Sequence, residues 1–139
     1  MATHVREIMT QNPVTVQMSD PITAAARTMR DANIGDVVVL ENGQVHGILT
    51  DRDIVVRALA EGRDPVQTVV RDICSRELTT LSPHDAIGKA VAVMRDKALR
   101  RLPVVEEGRP VGIVSLGDVA VERDPESVLG AISAAPPNR

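Results

Sequence analysis

The chain has 139 residues, 43% of them hydrophobic, which suits one compact domain or two small units too slight to stand easily alone. It contains no Phe, Tyr or Trp, so any core is aliphatic, and no rings are offered for single-stranded nucleic acid to stack on. The net charge of -3 excludes a general attraction for nucleic acid or an anionic membrane, and one cysteine, Cys74, excludes an intrachain disulfide.

In chain order, Met1-Ala2-Thr3-His4-Val5-Arg6-Glu7 opens the sequence without a hydrophobic signal segment, so the cytoplasm is the expected compartment. Val14-Thr15-Val16 reads as a short strand, and Asp20-Pro21 reads as an N-cap followed by the first helical residue. Ile22, Ala25, Ala26 and Met29 recur at helical spacing until Asn33-Ile34-Gly35. Val37 to Leu40 is a buried-strand run, Asn42-Gly43 a hairpin turn, Val45 to Leu49 a second strand, and a second helix starts at Thr50. No apolar run approaches the length of a bilayer span.

The pattern then repeats, with Val5 falling on Val70 at an offset of 65 residues. Met29-Arg30-Asp31 falls on Met94-Arg95-Asp96, Gly43 on Gly108, Gly47-Ile48 on Gly112-Ile113 and Asp53 on Asp118. About a third of the positions match without a gap. The second copy therefore predicts a strand at Leu78 to Leu81, an N-cap at Asp85, a helix through Ile87, Ala90 and Met94, and a hairpin about Glu107-Gly108. Residues 1–62 form the first repeat, 63–69 a linker, 70–125 the second repeat, and 126–139 a short helix and a frayed tail at Pro136-Pro137-Asn138-Arg139. The expected fold is α/β: two tandem β-α-β-β-α units packed through their sheets about a pseudo-twofold axis.

Chemistry concentrates at Gly47-Ile48-Leu49-Thr50-Asp51-Arg52-Asp53 and Gly112-Ile113-Val114-Ser115-Leu116-Gly117-Asp118. A helix begins at each hydroxyl residue, where unsatisfied backbone N–H groups and the helix dipole favour a phosphate. The Asp three residues on has two acceptor oxygens at the spacing of a ribose diol. The same residues also spell capping boxes that merely start a helix, and sequence alone leaves both readings open.

The duplicated Gly-h-h-Thr/Ser-x-x-Asp segments (h, hydrophobic), the Leu102-Pro103-Val104-Val105 strand and the opening Val-Arg-Glu-Ile-Met and Val-Arg-Asp-Ile-Cys stretches together resemble a tandem pair of CBS domains, a Bateman module, from about Val5 to Arg123. That resemblance implies a regulatory module binding an adenosine-type ligand (AMP, ADP, ATP or S-adenosylmethionine) in the cleft between repeats. It implies Asp53 and Asp118 on ribose hydroxyls, Thr50 and Ser115 near phosphate, and Gly35, Asp36, Arg100 and Arg101 lining the same place. It further implies a homodimer formed through helices, signalling to a separate effector protein. Two positions depart from symmetry: Val38 stands where the second copy has Pro103, and Asp36 stands where it has Arg101, so the arginine-bearing side is expected to favour an anion. Arg100-Arg101 also reads as a solvated pair favourable to a helix end.

His4, His46 and His84 are scattered without metal-ligand spacing, and neither a phosphate loop nor a nucleophile elbow is present. Neither Ser115 nor Cys74 has a marked base. No enzymatic activity, required cofactor, metal or nucleic-acid partner is expected. A constitutive scaffold dimer with vestigial clefts is the alternative to sensing.

Overall fold

The computed structural model describes residues 2–76, 78–124 and 127–135. In chain order its elements are β1 (Thr10–Gln11), β2 (Thr15–Gln17), α1 (Ile22–Ala32), β3 (Asp36–Glu41), β4 (Gln44–Thr50), α2 (Asp51–Asp53), α3 (Ile87–Lys97), β5 (Arg101–Glu106), β6 (Arg109–Ser115), α4 (Leu116–Arg123) and α5 (Val128–Ala134). Short 3-10 turns at Val5–Glu7 and Val70–Asp72 precede the two repeats. The expected tail at Pro136 to Arg139 lies outside the described residues. Among those residues, no helix is long and apolar enough to cross a membrane.

The compact units are cut differently from the repeats. Pro13–Leu78 forms one unit, while the residues up to Asn12 join those from Thr79 onward in the other. The expected segments 1–62, 63–69 and 70–125 thus describe the duplication rather than the packing, because each repeat's leading segment folds against the other repeat's helix and sheet. Hydrogen bonding explains the arrangement. The first N–H groups of α1 have no partner within the helix, and Ile22 and Thr23 donate to the carbonyls of Thr68 and Pro65. Likewise Ile87, at the start of α3, donates to Thr3 O. In return Val70 N donates to Asp20 O at 2.8 Å and Val5 N to Asp85 O at 2.9 Å.

This accounting corrects the expected N-caps. The caps of α1 and α3 are Pro21 and Ala86, neither with a side-chain bond. Asp20 and Asp85 instead reach back, accepting from Gln17 N and Ser82 N, and so close the turn before each helix.

In the first unit β2 runs parallel to β3, and β3 pairs antiparallel with β4. In the other, the order is β1-β6-β5, all antiparallel. The strand expected at Leu78 to Leu81 is only a single parallel bridge at Leu81, against Val104. Proline accounts for the loss. Val38 N donates to Val14 O at 3.1 Å, whereas Pro103 has no N–H to offer the corresponding Thr79.

Each unit buries an aliphatic core between its sheet and first helix. Ile22, Ala25, Met29, Val37, Val39 and Leu49 meet Val70, Ile73 and Cys74 in one. In the other, Ala90, Met94, Leu102, Val104 and Val114 meet Val5 and Leu81. The leading segments therefore supply core residues as well as caps.

The second helices differ. In the second repeat α4 is α-helical, but in the first the single turn α2 continues as a π-helix over Ile54–Leu59. A five-residue bond from Ala60 N to Val55 O marks that wider coil, and the helix then closes on left-handed Gly62 with bonds from Gly62 N to Leu59 O and from Arg63 N to Ala58 O. Its opening Ile54-Val55-Val56 are consecutive β-branched residues, which are weak α-formers.

Candidate functional site

Each unit gathers its candidate residues at one corner, where the last strand passes into the second helix. Asp36 pairs in register with Thr50, and Arg101 with Ser115. Asp51 N donates to Gly35 O at 2.9 Å, and Leu116 N to Arg100 O at 2.8 Å, which ties the start of one strand to the start of the helix beyond its neighbour. Gly35, Asp36, Thr50 and Asp53 thus form one group, and Arg100, Arg101, Ser115 and Asp118 a matching one.

Capping boxes form at both corners. Asp53 N donates to Thr50 Oγ1 at 3.1 Å while Thr50 N donates to Asp53 Oδ2 at 2.9 Å. Ser115 and Asp118 repeat this at 3.1 and 2.9 Å. The hydroxyls accept in these bonds, so each keeps its own proton to donate. Each Asp commits one oxygen to the box and keeps Oδ1 for something else.

Beside the corners lie two matched grooves between the first and second helices. One, of about 550 Å³, is bordered by Met29, Arg30, Ile34, Gly35, Asp51 and Ile54. The other, of about 430 Å³, is bordered by Met94, Arg95, Leu99, Arg100, Leu116 and Val119, the same positions one repeat on. Among the candidate residues, Gly35 and Arg100 border these grooves. A Cβ on Gly35 would sit 3.0 Å from Asp51 Oδ2, so the first groove pairs a glycine with a carboxylate. The second pairs an arginine with an apolar Leu116, leaving it the more positive.

The glycine that opens each motif has a packing role. Ser75 bridges to Ile48, and a Cβ on Gly47 would run into the Ser75 carbonyl. A Cβ on Gly112 would meet Met9 Sδ at 2.5 Å and Thr10 O at 3.0 Å, where β1 crosses β6. Gly47 and Gly112 therefore admit the exchanged leading segments.

Position four after each Asp drew no notice in the sequence, although the offset places Arg57 opposite Glu122. Arg57 Nη1 donates to Ile73 O at 3.2 Å, and its Nε lies 3.7 Å from Asp53 Oδ1. Glu122 instead accepts from Ala2 N at 2.8 Å. Cys74 is buried beside Met18, its thiol pushed up by that burial, which is contrary to what a nucleophile needs. Among the described residues, no cluster of three or more His, Cys, Asp or Glu could hold a metal.

The sequence model of the CBS domain matches residues 5–59 and 70–123. CBS domain-containing protein YhcV of Bacillus subtilis is 41% identical over 119 residues, covering 86% of this chain and 84% of that protein. Hypoxic response protein 1 of Mycobacterium tuberculosis is 32% identical over 133 residues, covering 95% and 93%. A crystal structure of Hypoxic Response Protein I with two coordinated zinc ions superposes with a TM-score of 0.78 at 34% identity, over 87% of this chain and 99% of that one. A hexameric CBS-CP12 protein from bloom-forming cyanobacteria gives a TM-score of 0.75 at 28% identity, over 90% and 74%.

Proposed function

The chain belongs to the CBS-domain family, and from that premise we propose that it is a non-catalytic regulatory module sensing an adenosine-type nucleotide at the strand-to-helix corners of its repeats. The carrying observation is the duplicated corner itself. In each unit a hydroxyl with its proton unspent, an Asp with one oxygen outside its capping box, and the opening of the adjacent strand stand together. Phosphate would lie at Thr50 or Ser115, and ribose hydroxyls would donate to Asp53 or Asp118. Arg100 and Arg101 stand at the second corner where the first has Gly35 and Asp36, which favours the second for an anionic ligand. The ligand would act by binding one arrangement of the module better than another, passing the bias to a separate effector protein in the cytoplasm.

A thermal-shift panel with adenosine, AMP, ATP and S-adenosylmethionine tests this reading. One of them should raise Tm, and Asp118→Ala should abolish the rise while Glu61→Ala, on an exposed turn, keeps it. No shift with any of them overturns the proposal.

A second reading, a homodimer serving as a constitutive scaffold, draws on exposed aliphatic side chains. Val55, Val56 and Leu59 are 53%, 43% and 57% exposed, and Val91 and Leu116 add to the apolar surface of the helices. Sedimentation equilibrium showing a dimer unaffected by all four ligands would favour it.

A further inference from the structure

We propose that Arg57 acts as an internal competitor for Asp53, so that the Asp118 corner is the working ribose site and the Asp53 corner a handicapped one. The inference rests on the sensing reading above and concerns which of its two corners operates.

The two corners are alike through their capping boxes and diverge one helical turn later. Asp53 spends Oδ2 on Thr50 N, and the oxygen left for a diol, Oδ1, lies 3.7 Å from the Arg57 guanidinium. That guanidinium is fixed from a second side, because its Nη1 donates to the Ile73 carbonyl at 3.2 Å. A ribose approaching Asp53 must displace or work around a cation already paired with the oxygen its hydroxyls would use. Arg57 is 53% exposed, so water and salt weaken the contact, and the obstacle is a handicap rather than a block.

At the matching place in the second unit stands Glu122. It cannot donate to Asp118, and its Oε1 is drawn to Ala2 N at 2.8 Å. Asp118 Oδ1 has no partner among the described residues. Both residues brace a helix against a leading segment, yet only the arginine does so in a way that covers the carboxylate. The inequality is therefore separate from that of Asp36 and Arg101, which concerns the phosphate end.

Calorimetric titration of the full chain, separately with AMP, ATP and S-adenosylmethionine, tests the inference. The wild type should show one strong site per chain, and Asp118→Asn should remove it. Arg57→Ala should add a second measurable site, weaker than the first for AMP and ATP because Asp36 stands where the other corner has Arg101, and Arg57→Ala/Asp53→Asn should remove it again. A role limited to bracing the helix would leave the number of sites unmoved. Should Arg57→Ala fail to fold, Glu122→Arg supplies the reciprocal. It should weaken the wild-type site about tenfold, as expected for losing one hydrogen bond to a charged group, while Glu122→Gln changes affinity little. Two equal sites in the wild type, a single site that survives Asp118→Asn, or an Arg57→Ala protein still binding once overturns the inference and leaves sensing intact. Binding of none of the three ligands to either the wild type or Arg57→Ala removes the sensing reading and this inference together.

Discussion

The two units have nearly the same backbone at their bends but not equally suitable residues to make them. The first helix of each ends on a left-handed residue, Asn33 at φ 56° and Ala98 at φ 54°, with the 6→1 bond from Ile34 N to Met29 O or Leu99 N to Met94 O. Each hairpin turns through two positive-φ residues, Asn42-Gly43 and Glu107-Gly108. Asparagine adopts that conformation at less cost than alanine or glutamate, so the unit built on the second repeat carries strain that the first largely avoids. Duplication thus preserves a backbone more faithfully than the residues that make it comfortable.

The exchanged segments give the sharpest way to break the symmetry. Gly47→Ala should cost about 3 kcal/mol, because the obstacle is the rigid Ser75 carbonyl, whereas Gly112→Ala should cost about 1 to 2 kcal/mol, since the Met9 thioether can swing aside. Urea unfolding would measure both, and equal losses would sink this account of the glycines. Ala98→Gly should stabilise by about 1 kcal/mol and raise Tm by about 3 °C, while Asn33→Gly changes little. Glu107→Asn should add about 0.5 kcal/mol and slow amide exchange in the β5–β6 hairpin, leaving the β3–β4 hairpin as it was.

The smallest effect concerns Cys74, which sits in one core only. Burial favours its neutral thiol over the thiolate, with Arg76 opposing. The folded state therefore keeps this contribution at neutral pH. It loses it as pH rises above the ordinary thiol range of about 8.5, where the unfolded chain ionises first. Iodoacetamide at pH 8 should label Cys74 slowly until urea unfolds the chain, and rapid labelling of the native protein would show that the site opens.

Local signals carried much of the architecture. Helical spacing located α1 and α3, Gly after Asn42 or Glu107 located both hairpins, and the repeat located the second half from the first. Asp20 and Asp85 were misread as caps because the groups that satisfy α1 and α3 are backbone carbonyls of Thr68, Pro65 and Thr3, distant in sequence. The exchange of leading segments was hidden for the same reason, as only Gly47 and Gly112 hinted at a close approach. Pro103 was visible as a departure, but its consequence needed the partner strand. At the corners the capping geometry of Thr50, Asp53, Ser115 and Asp118 was legible. The covering of Asp53 was not, since it requires the position of Arg57 on a π-helix rather than its identity alone.

The exchange also orders events in time. Pro13–Leu78 is continuous in sequence, so its contacts can close as soon as that stretch has been synthesised. Val5 must instead find Leu81, Val104 and Val114 across the whole intervening unit. The added loop entropy is modest, because closure cost grows only with the logarithm of length. The delay is not: during translation Val5, Ile8 and Met9 remain without their partners until the strand pair β5–β6 has emerged. Those early apolar residues are where a stalled or truncated chain would first be recognised as unfinished.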